Sequence, residues 1–242
     1  MTGTYRIAGR VIGIRSLYAE VHEYCKDYRC EEVPEITVET TVADIAYERE
    51  QSIRTARLEG RQPSNSSDSY LEELAVYRKI AEKMPLFDTF LFHGSCIAVD
   101  GEGYLFTARS GTGKSTHTRL WREMLGDRAI MVNDDKPLMT ASECGIMIHG
   151  TPYNGKHRLG SNISVPLKAI CLLERAADNT IERVSPHEVY PRLLQQTYRP
   201  RDPAALVKTM ELLDTVIENV KLYRLGCNME SEAARVAYEG MR

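Results

Sequence analysis

The stretch LFTARSGTGKSTHTRLW, residues 105–121, constrains this 242-residue chain more than any other. Gly111 and Gly113 flank Thr112, and Lys114, Ser115 and Thr116 follow directly. Such a run suits an anion. Residues without Cβ accept the positive φ values that turn successive N–H groups inward, and a helix starting there aims its positive end at the same point. The usual phosphate-loop pattern is G-x-x-x-x-G-K-[ST]. Here Ala108 stands at the first glycine's position, while Gly113, Lys114 and Ser115 keep theirs. The pattern needs a strand before it and a helix after it. GYLFTA predicts the strand and STHTRLWREML the helix, which should stop at Gly126. Ser110, Gly111, Thr112, Gly113, Lys114, Ser115 and Thr116 are therefore the candidate nucleotide-binding residues. Lys114 would reach the β and γ phosphates, and Ser115 would ligate Mg²⁺.

A loop of this kind binds phosphate, but phosphoryl transfer also needs a metal ligand and a proton acceptor. AIMVNDD, residues 129–135, predicts a buried strand that ends in Asp134 and Asp135. The ends of strands are where α/β proteins assemble ligand sites. The interval from Lys114 to Asp134 suffices for one helix and a return strand, which predicts that the strands carrying loop and acids are close neighbours. Adjacent acids also suit a division of roles: one holds Mg²⁺ while the other accepts a hydroxyl proton.

A formal net charge of −3 gives no electrostatic case for nucleic acid or an anionic membrane as partner. The longest apolar runs, such as LKAICLL, are far shorter than the roughly 20 residues that span a bilayer. The start, MTGTYRIAGR, has no apolar secretory core, so a cytoplasmic location is expected. The six cysteines show no C-x-x-C pair and are expected to be reduced packing residues.

The order of elements reads as mixed α/β: a strand-rich N-terminal region, a mixed core and a helical C-terminus. YRIAGRVIGI and ITVETTV predict strands, with a short helix within SLYAEVHEYCKDY. RQPSNSSDS, residues 61–69, is the best boundary, dividing 1–68, expected to integrate with the core, from 69–242. Ser69 and Glu72 have the form of a capping box for the helix that follows. SCIAVDG and GYLFTA predict a hairpin, MTASECGIMIHG a second, and KAICLLER and VKLYRL further strands. Ser185, Pro186 and Glu188 open one predicted helix, Asp202 and Pro203 another, and a last helix covers 231–238.

FHGSCIAVDGEGYLFTARSGTGKSTHTRLW, continued by NDD, resembles the catalytic domain of the HPr kinase/phosphorylase family, in which His-Gly precedes a hairpin, an S-G-x-G-K-[ST] loop and an Asp-Asp strand. The loop is also similar to that of ATP-dependent phosphoenolpyruvate carboxykinases. The resemblance is strong over about residues 90–140 and weaker as far as GTPYNGK and NISVPLKAICLLERA. It implies a P-loop kinase core, with Asp134 as catalytic base and metal-linked acid, Asp135 as its supporting partner, Ser115 as metal ligand and His93 oriented toward Asp134. HPr kinases carry a glutamate-bearing, glycine-rich segment after the aspartates. HGTPYNGKHRLG takes its place here, and Lys156, His157 and Arg158 are its candidates for contact with phosphate or an acidic acceptor. A carboxykinase would be far longer.

The expected function is that of a Mg²⁺-dependent kinase using ATP, or GTP, to phosphorylate a hydroxyl, foremost a serine of a protein or peptide. The alternatives are a small-molecule hydroxyl as acceptor, or a nucleotide-binding regulatory module without transfer chemistry. Related enzymes suggest a homo-oligomer.

Overall fold

The computed structural model describes residues 1–58, 60–155 and 157–242. The chain is mixed α/β and divides into two compact units, Met1–Lys83 and Met84–Arg242. Among the described residues no helix is long and apolar enough to cross a membrane.

The first unit opens with β1 (Thr2–Ile7) and β2 (Arg10–Arg15), an antiparallel hairpin. Ala8 and Gly9 form its turn with φ of 49° and 76°. Positive φ at both central residues gives the twist that a two-residue hairpin needs. After α1 (Glu20–Tyr24), β3 (Ile36–Glu39) joins β2 in parallel. Then come α2 (Val42–Leu58) and α3 (Asp68–Lys83).

The expectation of a strand-rich region is corrected by α2. ITVETTV leaves the strand at Glu39, and Thr41 starts the helix: its N–H and Oγ1 meet Asp44 Oδ2 at 2.9 and 2.8 Å. Only Ile45 and Ala56 of α2 are buried, so the helix lacks the apolar stripe that would have revealed it. Glu72 is also not a cap. It is fully buried and accepts the Leu17 and Tyr18 N–H groups at 2.7 and 2.8 Å and the Thr40 hydroxyl at 2.5 Å. Ser67 takes the capping role, with Tyr70 N–H on its Oγ at 3.2 Å.

The second unit contains β4 (Thr89–Leu91), β5 (Ser95–Val99), β6 (Glu102–Thr107), α4 (Lys114–Leu125), β7 (Ala129–Asn133), β8 (Leu138–Ser142) and β9 (Gly145–His149). β10 (Ser164–Arg175), β11 (Thr180–Arg183), α5 (Pro186–Gln196), α6 (Pro203–Asn219), β12 (Lys221–Cys227) and α7 (Ser231–Met241) complete it. The sheet runs β4-β8-β9-β10-β6-β5-β7, with β12 also on β10 and β11 on β12. The long β10 pairs antiparallel with β9 at its start, then runs parallel to both β6 and β12.

Both faces of the sheet are covered, which the alternation of side chains along the strands makes possible. Tyr104, Phe106, Cys171 and Leu225 cluster with Trp121 of α4 and Ala234 of α7. Leu105, Ile170, Leu172 and Leu222 cluster instead with Leu193 of α5 and Leu213 and Val216 of α6. α5 starts with the predicted capping box at Ser185 and Glu188, and Asp202 caps α6 by accepting Ala205 N–H at 2.8 Å.

The strands bearing the loop and the acids are not adjacent. β5 stands between β6 and β7 and is antiparallel to each. β6 and β7 therefore run in the same direction, and their C-terminal ends open on the same edge of the sheet as the N-terminus of β5. That edge carries the site.

Candidate functional site

β6 ends at Thr107, the loop crosses 108–113, and α4 begins at Lys114 with Gly113 as N-cap. Gly111 and Gly113 have φ of 78° and 125°, and a Cβ on either would meet nothing within 4 Å. The need for glycine here is one of backbone conformation, not of space. Lys114 is largely buried and its Nζ donates to the Ala108 carbonyl at 3.1 Å, so the ammonium curls back over the loop. Burial pulls its pKa down, against Asp135 and Asp134, which hold it up.

Asp134 lies just beyond β7, only 7% exposed. Its Oδ1 accepts the Ser95 hydroxyl at 2.6 Å, and the Ser115 hydroxyl is near enough to lower its pKa. Ser95 has one proton and donates it to the acid, so in its 3.0 Å contact with Thr118 Oγ1 it accepts. Burial raises the Asp134 pKa; the Ser95 hydrogen bond and the nearby Ser115 hydroxyl counter this, Asp135 adds to it, and His157 counters it from a distance. The hydroxyl that follows the loop lysine thus lies within electrostatic reach of the acid.

Asp135 is partly exposed and faces a different set of groups. Its N–H and that of Lys136 donate to Asn133 Oδ1 at 2.9 and 2.7 Å. Asn133 is buried and anchored by Thr151 Oγ1 at 2.9 Å from its Nδ2. The amide therefore sets the turn on which the acids stand. The Asp135 carbonyl accepts the Gly94 N–H at 3.0 Å.

His93 meets Asp135 rather than Asp134. Its Nε2 is 3.5 Å from Asp135 Oδ1, and its Nδ1 is 2.7 Å from Gln196 Oε1. Burial and Lys114 lower its pKa, with Asp135 opposing.

The other candidates fall into place around this centre. Ser110 and Gly111 are exposed, and Thr112, Gly113 and Thr116 are half-buried. His157 is exposed yet near enough to Asp134 to influence it, and Gly155 lies beside Asp135, its built Cβ 3.4 Å from that of the acid. Arg158 is exposed with φ of 49°. Lys156 lies outside the described residues.

Sequence reasoning missed Ser95, Thr118, Asn133, Gln196 and Arg175. Ser95 and Asn133 stand beside motif residues and could have been found there. Gln196 is 103 positions from its partner His93 and has no local signal. Arg175, at the end of β10, donates from Nη2 to the Gly111 carbonyl at 2.5 Å and from Nε to the Thr112 carbonyl at 3.4 Å. A cavity of about 460 Å³ opens beside the loop, lined by Thr107, Thr112, Leu172, Arg175, Arg192 and Gln196 among others.

The family model described as SynChlorMet cassette protein ScmC matches residues 64–198, a span that holds the loop, both acids, His93 and Gln196. The chain belongs to the ScmC family. That description names a cassette and no reaction. No curated protein matches the sequence. Among solved structures, the Hpr(Ser) kinase/phosphatase from Coxiella burnetii is similar over 62% of this chain and 95% of its own, at 12% identity and a TM-score of 0.33. A likeness at that level carries nothing from that enzyme to this ScmC-family chain.

Proposed function

We propose that the second unit is a P-loop kinase core that transfers the γ-phosphoryl group of ATP to a hydroxyl, foremost a serine of a peptide or protein. The observation that carries this reading is the convergence of Ser95, Asp134 and Ser115 at the start of α4. A buried carboxylate beside the hydroxyl that follows the loop lysine has no packing rationale, whereas phosphoryl transfer needs both groups at one point.

The donor set fits magnesium: Ser115 and Asp134 offer hard oxygen ligands beside a loop for the nucleotide's phosphates. When bound, the ion would neutralise charge on the transferring group. The chain's own residues do the rest. The Lys114 ammonium leaves the Ala108 carbonyl for the β and γ phosphates, and the N–H groups at the start of α4 point at the same oxygens. Asp134 takes the hydroxyl proton as the new P–O bond forms and the bond to the β-γ bridging oxygen breaks, releasing ADP. Burial raises its pKa and so strengthens it as a base. Asp135 and His93, braced by Asn133 and Gln196, keep a second carboxylate beside it.

The test pairs binding with turnover. Asp134→Asn should abolish transfer from labelled ATP to serine peptides and small hydroxyl acceptors while leaving ATP affinity, read by isothermal titration without Mg²⁺, nearly intact. Lys114→Ala should lose the affinity itself. Equal loss of both quantities in Asp134→Asn would overturn the base role. Binding without transfer to any acceptor by the wild type would identify a nucleotide-binding regulatory module instead.

A further inference from the structure

Arg175 ends a strand that is not part of the loop, yet its guanidinium rests on the loop's backbone. It donates to the carbonyls of Gly111 and Thr112, the stretch between the positive-φ positions Gly111 and Gly113. In a trans peptide the carbonyl of one residue points opposite to the N–H of the next. A group that pins the Gly111 and Thr112 carbonyls therefore also fixes where the N–H groups of Thr112 and Gly113 point. A Cβ on either glycine would meet nothing within 4 Å, so no side-chain crowding fixes these two positions. Within the loop Thr112 N–H donates to the Arg109 carbonyl at 3.2 Å and Lys114 Nζ to that of Ala108, and from outside it Arg175 holds the carbonyls of Gly111 and Thr112.

The neighbouring charges leave Arg175 available for this. Glu174, the adjacent carboxylate, is paired with Arg192 of α5. The guanidinium is planar and donates from a rigid fork, so one side chain can hold successive carbonyls in a fixed relation. Parallel pairing of β10 with β6, Leu172 opposite Thr107, brings the end of β10 level with the start of the loop.

We infer that Arg175 is a positioning residue that latches the phosphate loop into its anion-binding shape from the end of β10. The inference rests on the nucleotide reading given above. It assigns Arg175 to the phosphate arm of the ligand, acting through the loop backbone, and not to a nucleoside in the adjoining cavity.

The experiment is isothermal titration of Mg²⁺–ATP and of Mg²⁺–tripolyphosphate, which has the phosphates and no nucleoside, into wild type, Arg175→Ala and Arg175→Lys. Losing a charge-assisted contact and a weaker one should reduce affinity about 10- to 100-fold for both ligands in Arg175→Ala. Arg175→Lys, which keeps a cation but not the fork, should fall between. Urea unfolding followed by Trp121 fluorescence should be unchanged, since Arg175 is exposed. Wild-type affinity in Arg175→Ala would overturn the latch and leave the nucleotide reading standing. Weakened ATP with undiminished tripolyphosphate would overturn it in favour of a nucleoside contact. No binding of Mg²⁺–ATP by the wild type would overturn the nucleotide reading and the latch with it.

Discussion

Acidification should loosen the helix that follows the glycine-containing loop, through His117. This residue is 3% exposed in the first turn of α4, its ring 4.6 Å from that of Phe106. Its Nε2 accepts the Trp121 indole N–H at 3.1 Å, which fixes the neutral tautomer with the proton on Nδ1, an atom with no partner among the described residues. A second proton would have to sit on Nε2, facing the indole N–H. Burial accordingly lowers the pKa from 6.5 to about 4. Because the folded value lies below the unfolded one, the unfolded chain binds more protons between them. The stability His117 contributes is complete above pH 6.5 and is lost as pH falls toward 4. Linkage over that shift comes to about 3 kcal/mol in all, of which about 2 kcal/mol is gone by about pH 5. The chain's one tryptophan is the reporter, buried against the same histidine. Urea unfolding followed by its fluorescence should show a fall in stability between pH 7.5 and 5 in the wild type. In His117→Gln, which retains an acceptor for the indole, that fall should be smaller by about 2 kcal/mol. His149, also lowered to about 4, still titrates in both proteins, so the difference isolates His117. An identical pH dependence in wild type and variant would refute the reasoning.

Two further substitutions each probe the hydrogen bonds of a buried carboxylate. Ser95→Ala removes the 2.6 Å hydrogen bond that holds the Asp134 pKa down, and a hydrogen bond to a charged group is worth about 1.5–3 kcal/mol. The acid should titrate about 1–2 pH units higher by carbon-13 NMR of its carboxyl, and an unmoved titration would count against the bond. Glu72→Ala takes a fully buried acceptor from the Leu17 and Tyr18 N–H groups and leaves the Thr40 hydroxyl only the Arg15 carbonyl, and should cost the first unit about 3 kcal/mol. Hydrogen exchange at the Leu17 and Tyr18 amides should accelerate accordingly, while Glu72→Gln, which keeps an acceptor oxygen, should accelerate it less.

What could be read from the sequence was what is written locally. The loop, its flanking strand and helix, the β5–β6 and β8–β9 hairpins and the caps of α5 and α6 each depend on residues a few positions apart. α2 escaped because its face is polar and its start signal, Thr41 with Asp44, stood inside an apparent strand. Glu72 matched a capping box by spacing, but tertiary demand for an acceptor at Leu17 and Tyr18 outweighed the local role. Strand order has no local signature, so the insertion of β5 between β6 and β7 could not be read from the interval between Lys114 and Asp134. The partners that depend on that order, Ser95 for Asp134 and Gln196 for His93, were hidden for the same reason.

The insertion of β5 also accounts for the difference between the adjacent acids. Had β6 and β7 been direct neighbours, both carboxylates would have emerged beside the loop with no strand end between them. With β5 interposed and antiparallel, its first residue, Ser95, lies at the same edge and puts a hydroxyl on Asp134, with Thr118 of α4 in contact with that hydroxyl in turn. Asp134 is thereby buried and its pKa raised, while Asp135, one residue further, leaves the strand on the Asn133 turn and stays partly exposed beside His93. One carboxylate is buried and its neighbour partly exposed, and the pairing order of the strands places the Ser95 hydroxyl on the buried one. Residues that differ by a single position are in this way given different surroundings, the condition under which adjacent acids can take different roles.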